Sequence, residues 1–244
     1  MTASILLVGF LIGMRHAVEA DHVAAVASLT ARSNSQGRNS LASAIKQGTV
    51  WGLGHTLTLF VVGSIVLFME NVIPDHLVLL LELIVGVMLV LLGVDVLQRL
   101  CKERIHFHLH NHNNEIVHFH AHSHHNETLH NPQQHVHQHP TGFPFRALFV
   151  GLMHGLAGSA ALIMLTLQTV QSPLLGMFYI LLFGIGSIVG MAVLSVAIAV
   201  PLSYSASALT WLHNGLQGVI GCATLSLGVL VIYHIGFVEG LLFS

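Results

Sequence analysis

The chain has 244 residues, 54% of them hydrophobic and only 7% charged, with a mean hydropathy of +0.77. Soluble domains carry about a quarter Asp, Glu, Lys and Arg, so this chain lacks the polar residues to cover a water-facing surface. A formal net charge of −2 without a basic cluster gives no support to nucleic-acid binding.

Long apolar runs recur instead, and a transmembrane helix needs about 20 such residues. Periodic apolar segments at 3–31, 42–70, 76–100, 145–170, 174–202 and 213–240 predict an all-α polytopic membrane protein with six transmembrane helices. The opening "MTASILLVGF" lacks the basic region of a secretory signal, so the first segment reads as a retained helix.

That first segment holds "RHAVEADH", with Arg15, His16, Glu19, Asp21 and His22 inside eight positions. An ionisable side chain at bilayer depth costs several kcal/mol, on the order of 2.5–3.5 on insertion scales, and as a rule lines a pathway or pairs with a neighbour. Imidazole with carboxylate is ligand chemistry for a borderline divalent metal such as Ni, Co, Zn or Fe(II); no array of Cys or Met points to Cu(I). With His16 at zero, about 100° per residue places Glu19 near 300°, His22 near 240° and Asp21 near 140°. His16, Glu19 and His22 then share a face and Asp21 points elsewhere. Either Asp21 orients an imidazole through its free N–H, or the helix is unwound there, with Gly13 easing the break. Arg15 is a candidate partner of Glu19 or Asp21 in a structural ion pair.

The second segment contains "WGLGHTLTLF". His55 within it is either a ligand or a core histidine bonded to Thr58 or a backbone carbonyl. Glu82 and Asp95 of the third segment are candidate proton-relay or interfacial groups.

The stretch 101–144 breaks the apolar pattern. It holds thirteen of the twenty histidines: His106, His108, His110, His112, His118, His120, His122, His124, His125, His130, His135, His137 and His139. Much of it alternates as H-x-H, a composition suited to buffering or sensing a divalent metal. Near pH 7 these imidazoles are mostly neutral and available as ligands. The chain therefore divides into a three-helix unit at 1–100, a His-rich loop at 101–144 and a second three-helix unit at 145–244.

The fourth segment carries "GLMHGLAGSAAL" (151–162), which aligns with "GMRHAVEADHVA" (13–24). His154 falls over His16, and Ser159 over Asp21, at an offset of 138. "GIGSI" (184–188) falls over "GLGHT" (52–56) at 132, with Ser187 over His55. Gly221 and Gly228 fall over Gly86 and Gly93 at 135. An odd number of spans per unit makes such a repeat inverted, an arrangement common in secondary transporters whose substrate site lies where the repeats meet. His154 and Ser159 thereby join Glu19 and Arg15 as candidate ligands or supporting groups. His213 and His234, at the ends of the last segment, are expected at the membrane interface.

Arg32, Arg38 and Lys46 flank the first loop and Arg99, Lys102, Arg104 and Arg146 the long third one, with none in the other loops. The positive-inside rule makes both loops cytoplasmic and both termini external.

"RHAVEADH", with its H-x4-D-H spacing in an early helix, resembles the signature of the nickel/cobalt transporter (NiCoT) family. "GLGHT" resembles that family's second histidine motif, and "GLMHGLAGSAAL" is similar to the second-half motif of the shorter, UreH-type permeases of the superfamily. The resemblance implies uptake of Ni(II) or Co(II) as substrate across the bacterial inner membrane. His16, Asp21, His22 and His55 stand at the positions family members use for metal recognition. The implied partners are the metal ion, the bilayer and, as a further candidate, a cytoplasmic nickel chaperone; no prosthetic group and no enzymatic reaction is implied. Typical members have eight spans where this chain supports six, and the cytoplasmic His loop is more reminiscent of related efflux proteins. Efflux is therefore the alternative, against which the Asp-His pair speaks.

No G-x-x-x-x-G-K-[ST] is present, so transport is expected to be secondary. Two readings from other classes remain. A thiol electron carrier needs paired intramembrane cysteines, for which Cys101 and Cys222 are poorly placed. A metallohydrolase needs an H-E-x-x-H helix, where this chain has an i, i+6 histidine pair.

Overall fold

The first apolar segment folds as two helices, α1 (Thr2–His16) and α2 (Ala20–Ser35). In the computed structural model, which describes residues 2–35, 40–69, 74–102, 106–112, 116–122, 143–169, 172–208 and 210–241, helical bonding falters after His16. The Ala17 N–H reaches Gly13 O at a long 3.4 Å, and the Val18 and Glu19 amides turn to carbonyls three residues back, both at 3.0 Å. Regular bonding resumes with Val23 N–H on Glu19 O at 2.9 Å. The interrupted helix is observed, and the Asp21 carboxylate also bonds an imidazole, that of His22.

The remaining helices are α3 (Leu41–Met69), α4 (Asp75–Lys102), α5 (Phe145–Thr169), α6 (Pro173–Ala208) and α7 (Thr210–Tyr233). Their starts follow capping chemistry. Ser40 Oγ accepts the Ser43 amide at 3.1 Å, satisfying a donor that the first helical turn leaves unpaired. Pro173 occupies the first position of α6, where its missing N–H costs nothing. After α7 a π-helical turn runs from His234 to Val238 and ends at Gly240, whose φ of +76° suits a residue without a Cβ.

Length and apolarity mark four of these as able to cross a membrane, over Leu41–Phe68, His76–Cys101, Pro173–Ser205 and Trp211–Val238. The first and fourth expected spans carry shorter apolar stretches, Leu6–His16 and Phe145–Ala157. The other departure from an all-α chain lies in the histidine loop. There β1 (His106–His112) pairs antiparallel with β2 (Ile116–His122), bringing His106 opposite His122, His108 opposite His120 and His110 opposite His118. Period-two alternation of the H-x-H kind is compatible with a strand. His124, His125, His130, His135, His137 and His139 lie outside the described residues.

Within the bundle α3 packs between α5 and α6, α1 lies on α6, and α4 lies on α7. Glycines make these approaches close, as small residues do between membrane helices. A Cβ on Gly13 would overlap the Phe183 carbonyl, and one on Gly151 the Trp51 carbonyl. Gly186 meets the Phe10 carbonyl, as Gly54 meets that of Leu148. Gly93 faces the Leu225 amide and the Gly221 carbonyl, while Gly228 faces the Val90 amide and the Gly86 carbonyl. Large apolar side chains cover the outside, among them Leu91, Phe149 and Val193, each more than 60% exposed.

Gly151→Ala should therefore destabilise the bundle by about 1–3 kcal/mol, the cost of overpacking. Gly215→Ala, with nothing within 4 Å of the added carbon, should be neutral or stabilising by up to about 1 kcal/mol. Thermal unfolding in detergent measures both.

Candidate metal site

The break at Ala17–Glu19 lets one segment present two imidazoles to one point. His16 ends α1 and His22 sits in the first turns of α2, with ring centroids 4.4 Å apart. His55 on α3 lies 5.2 Å from each of them, and His154 on α5 lies 4.9 Å from His22. His22, His55 and His154 are all buried, at 2% exposure or less.

The carboxylates fix how these rings face. Asp21 Oδ1 accepts from both the His22 backbone N–H and His22 Nδ1, each at 2.9 Å. The first bond satisfies an amide left open at the start of α2. The second places the proton on Nδ1 and leaves the Nε2 lone pair for the site. Glu19 Oε1 lies 2.9 Å from His16 Nδ1 and has the same effect there. Asp21 Oδ2 faces His154 Nε2 at 3.8 Å.

Two overlapping ligand groups result, His16–His22–His55 and Asp21–His22–His154, the candidate atoms in each lying within 4.8 Å of one another. Buried polar atoms in folded proteins almost always have a partner. Here, among the described residues, His16 Nε2, His22 Nε2 and both ring nitrogens of His55 and of His154 have no hydrogen-bond partner. Thr58 does not bond His55; its hydroxyl donates to Gly54 O at 3.1 Å. The core-histidine alternative for His55 thus lacks the bond it needs.

The interrupted backbone is itself supported. Ser187 Oγ donates to Gly13 O at 3.2 Å, the carbonyl that the break loosens. Ser187 stands 132 residues after His55, the offset noted in the sequence. The C-terminus of α1, which carries the negative end of the helix dipole, also lies at the cluster and favours a cation there.

Trp51 and Phe183 escaped the sequence reading. The Trp51 ring stands 5.5 Å from His22 and 5.6 Å from His154, and Phe183 stands 5.3 Å from His16. The signal was available: Trp51 is one helical turn before His55, and Phe183 is its counterpart at the same 132 offset.

Other candidates lie apart. Arg15 is exposed, and Glu19 and Asp21 bond the histidines rather than it. The Ser159 side chain lies outside the described residues. Glu82 is exposed, while Asp95 is engaged by Arg32 and Arg99. His213, expected at the interface, is buried, with Nδ1 near Ser205 Oγ and Leu202 O and Nε2 accepting from Gln217. His234 is exposed beside Glu239, at 3.5 Å. Cys101 and Cys222 are free, exposed and no part of the cluster.

An apolar helical bundle with buried imidazoles gathered at a helix interruption is the architecture of a membrane protein with a polar site inside. The chain belongs to the NicO family, described as high-affinity nickel-transport proteins, whose pattern matches residues 2–242. It is 35% identical over 241 residues to the urease accessory protein UreH of Bacillus sp. (strain TB-90), covering 98% of this chain and 94% of that one. No solved structure matches it.

Asp21→Asn should weaken nickel binding about 10–100-fold, the usual effect of losing a group that orients a ligand. Glu19→Gln, at a carboxylate 57% exposed, should cost less. Calorimetric titration of the detergent-purified protein ranks the two.

Proposed function

We propose that the chain is a secondary permease that takes up Ni(II), with Co(II) as the close competitor, through the cluster of His16, Asp21, His22 and His55. The observation that carries this reading is the set of buried imidazole nitrogens without hydrogen-bond partners. Leaving a buried polar group unpaired costs about 1–3 kcal/mol, a cost that a bound cation offsets. Imidazole nitrogen with one carboxylate suits a borderline divalent ion. His154 belongs to the same site in this reading, because its group with Asp21 shares His22 with the group of His16 and His55.

The six-span, inverted-repeat arrangement is part of the proposal. It is supported by contacts that recur under the offsets: Gly13 on Phe183 and Gly151 on Trp51, Gly54 on Leu148 and Gly186 on Phe10, Gly93 on Leu225 and Gly228 on Val90. The repeats would then meet at the histidines, and rocking of one against the other would open the site to alternate sides. Both termini are external and the histidine loop is cytoplasmic in this reading, as the arginine and lysine bias requires. The loop would receive metal from the site and hand it to a cytoplasmic acceptor. The name of the Bacillus relative, urease accessory protein, favours nickel over cobalt, urease being a nickel enzyme.

Cells expressing the protein should accumulate radiolabelled nickel above empty cells, and His22→Ala or His55→Ala should lower that accumulation at least about tenfold. Equal accumulation by the variants would refute the site; depletion below empty cells would reverse the direction to efflux. The Cys101→Ser, Cys222→Ser double variant should accumulate nickel normally, which a thiol carrier would not do.

A further inference from the structure

At the membrane face where α2 and α4 end and α5 begins, a cleft of about 490 Å³ opens between these three helices. That volume lies in the range of small-ligand pockets, about 300–1,000 Å³. Its two ends differ in chemistry. At the loop end stand Arg32, Asp95 and Arg146; toward the bilayer centre the walls are Met88, Leu91 and Phe149. From Asp95 to Met88 is seven residues of α4, about 10 Å of depth.

The polar end is cationic. Asp95 Oδ2 accepts from Arg32 Nη1 and, at 3.3 Å, from Arg99 Nε. Arg146 is exposed, forms no ion pair among the described residues, and is close enough to act electrostatically on Arg32. The apolar walls are open, with Leu91 64% and Phe149 63% exposed.

We propose that this cleft binds an anionic glycerophospholipid, its phosphate held by Arg146 beside the Arg32–Asp95 pair and one acyl chain laid against Leu91 and Phe149. A basic end at headgroup depth continuous with an apolar slot is complementary to an amphiphile of that charge. A second copy of the chain would cover the apolar walls but supply no phosphate to Arg146. Free phosphate would use Arg146 and leave the walls bare. The inference is independent of which ion is transported and in which direction.

Native mass spectrometry of the purified protein, titrated with phosphatidylglycerol or phosphatidylcholine, tests it. Phosphatidylglycerol should be retained over phosphatidylcholine, and Arg146→Gln should lower that retention about fivefold, the factor expected for one basic group at an anionic surface. A Phe149→Trp reporter should be quenched more by acyl-brominated phosphatidylglycerol than by brominated phosphatidylcholine at equal content. Equal retention of the two lipids, displacement by inorganic phosphate, a dimer without lipid, or quenching equal for both lipids would each overturn the proposal.

Discussion

Everything at the centre of this protein depends on the chain leaving the α-helix for three residues after His16. In an unbroken helix His16 and His22 would lie about 9 Å apart along the axis, at the two edges of a face about 120° wide, with Asp21 off that face. The interruption turns two imidazoles toward a shared point and lets Asp21 hold His22 from the side. The cost of the break is met locally. The amides turn to carbonyls three residues back, Asp21 accepts the His22 amide, and Ser187 from α6 bonds the loosened carbonyl of Gly13.

Such a site needs walls that come very close, and the glycines supply that. Gly13 lies on the Phe183 backbone beside His16, and Gly151 on the Trp51 backbone beside His154. The aromatic rings of those same two residues then pack on the histidines. Positions related by the sequence offsets thus make similar packing contacts, while their polar residues differ. The first half carries Asp21, His22 and His55. The second carries His154, and Ser187, which bonds the Gly13 carbonyl.

Two buried histidine environments show how the surroundings settle what a histidine does. His213 meets Ser205, the Leu202 carbonyl and Gln217, which together satisfy both ring nitrogens. His55 is as deeply buried, and among the described residues neither of its ring nitrogens has a hydrogen-bond partner, while the His16 and His22 rings lie 5.2 Å away. Both sit in apolar helices, and burial alone would not separate them. The difference is whether polar side chains from neighbouring elements reach the ring.

The amino-acid sequence by itself determined the membrane class, the helices and the residues of the cluster, because apolar run length and misplaced ionisable groups are local properties. It also aligned His16 with His154 by offset; the 132 offset relates Trp51 to Phe183 as well, a correspondence that was not read from it. For Asp21 it offered two readings, a bond to an imidazole or a local break, and could not choose, because angles computed for a regular helix do not describe a segment that is not regular. Only the tertiary structure decided that the helix breaks, that His55 lacks a bond to Thr58, and that His213 is buried and satisfied. Each of these depends on which side chains a second element brings within about 3 Å, and sequence spacing along one element carries no such information.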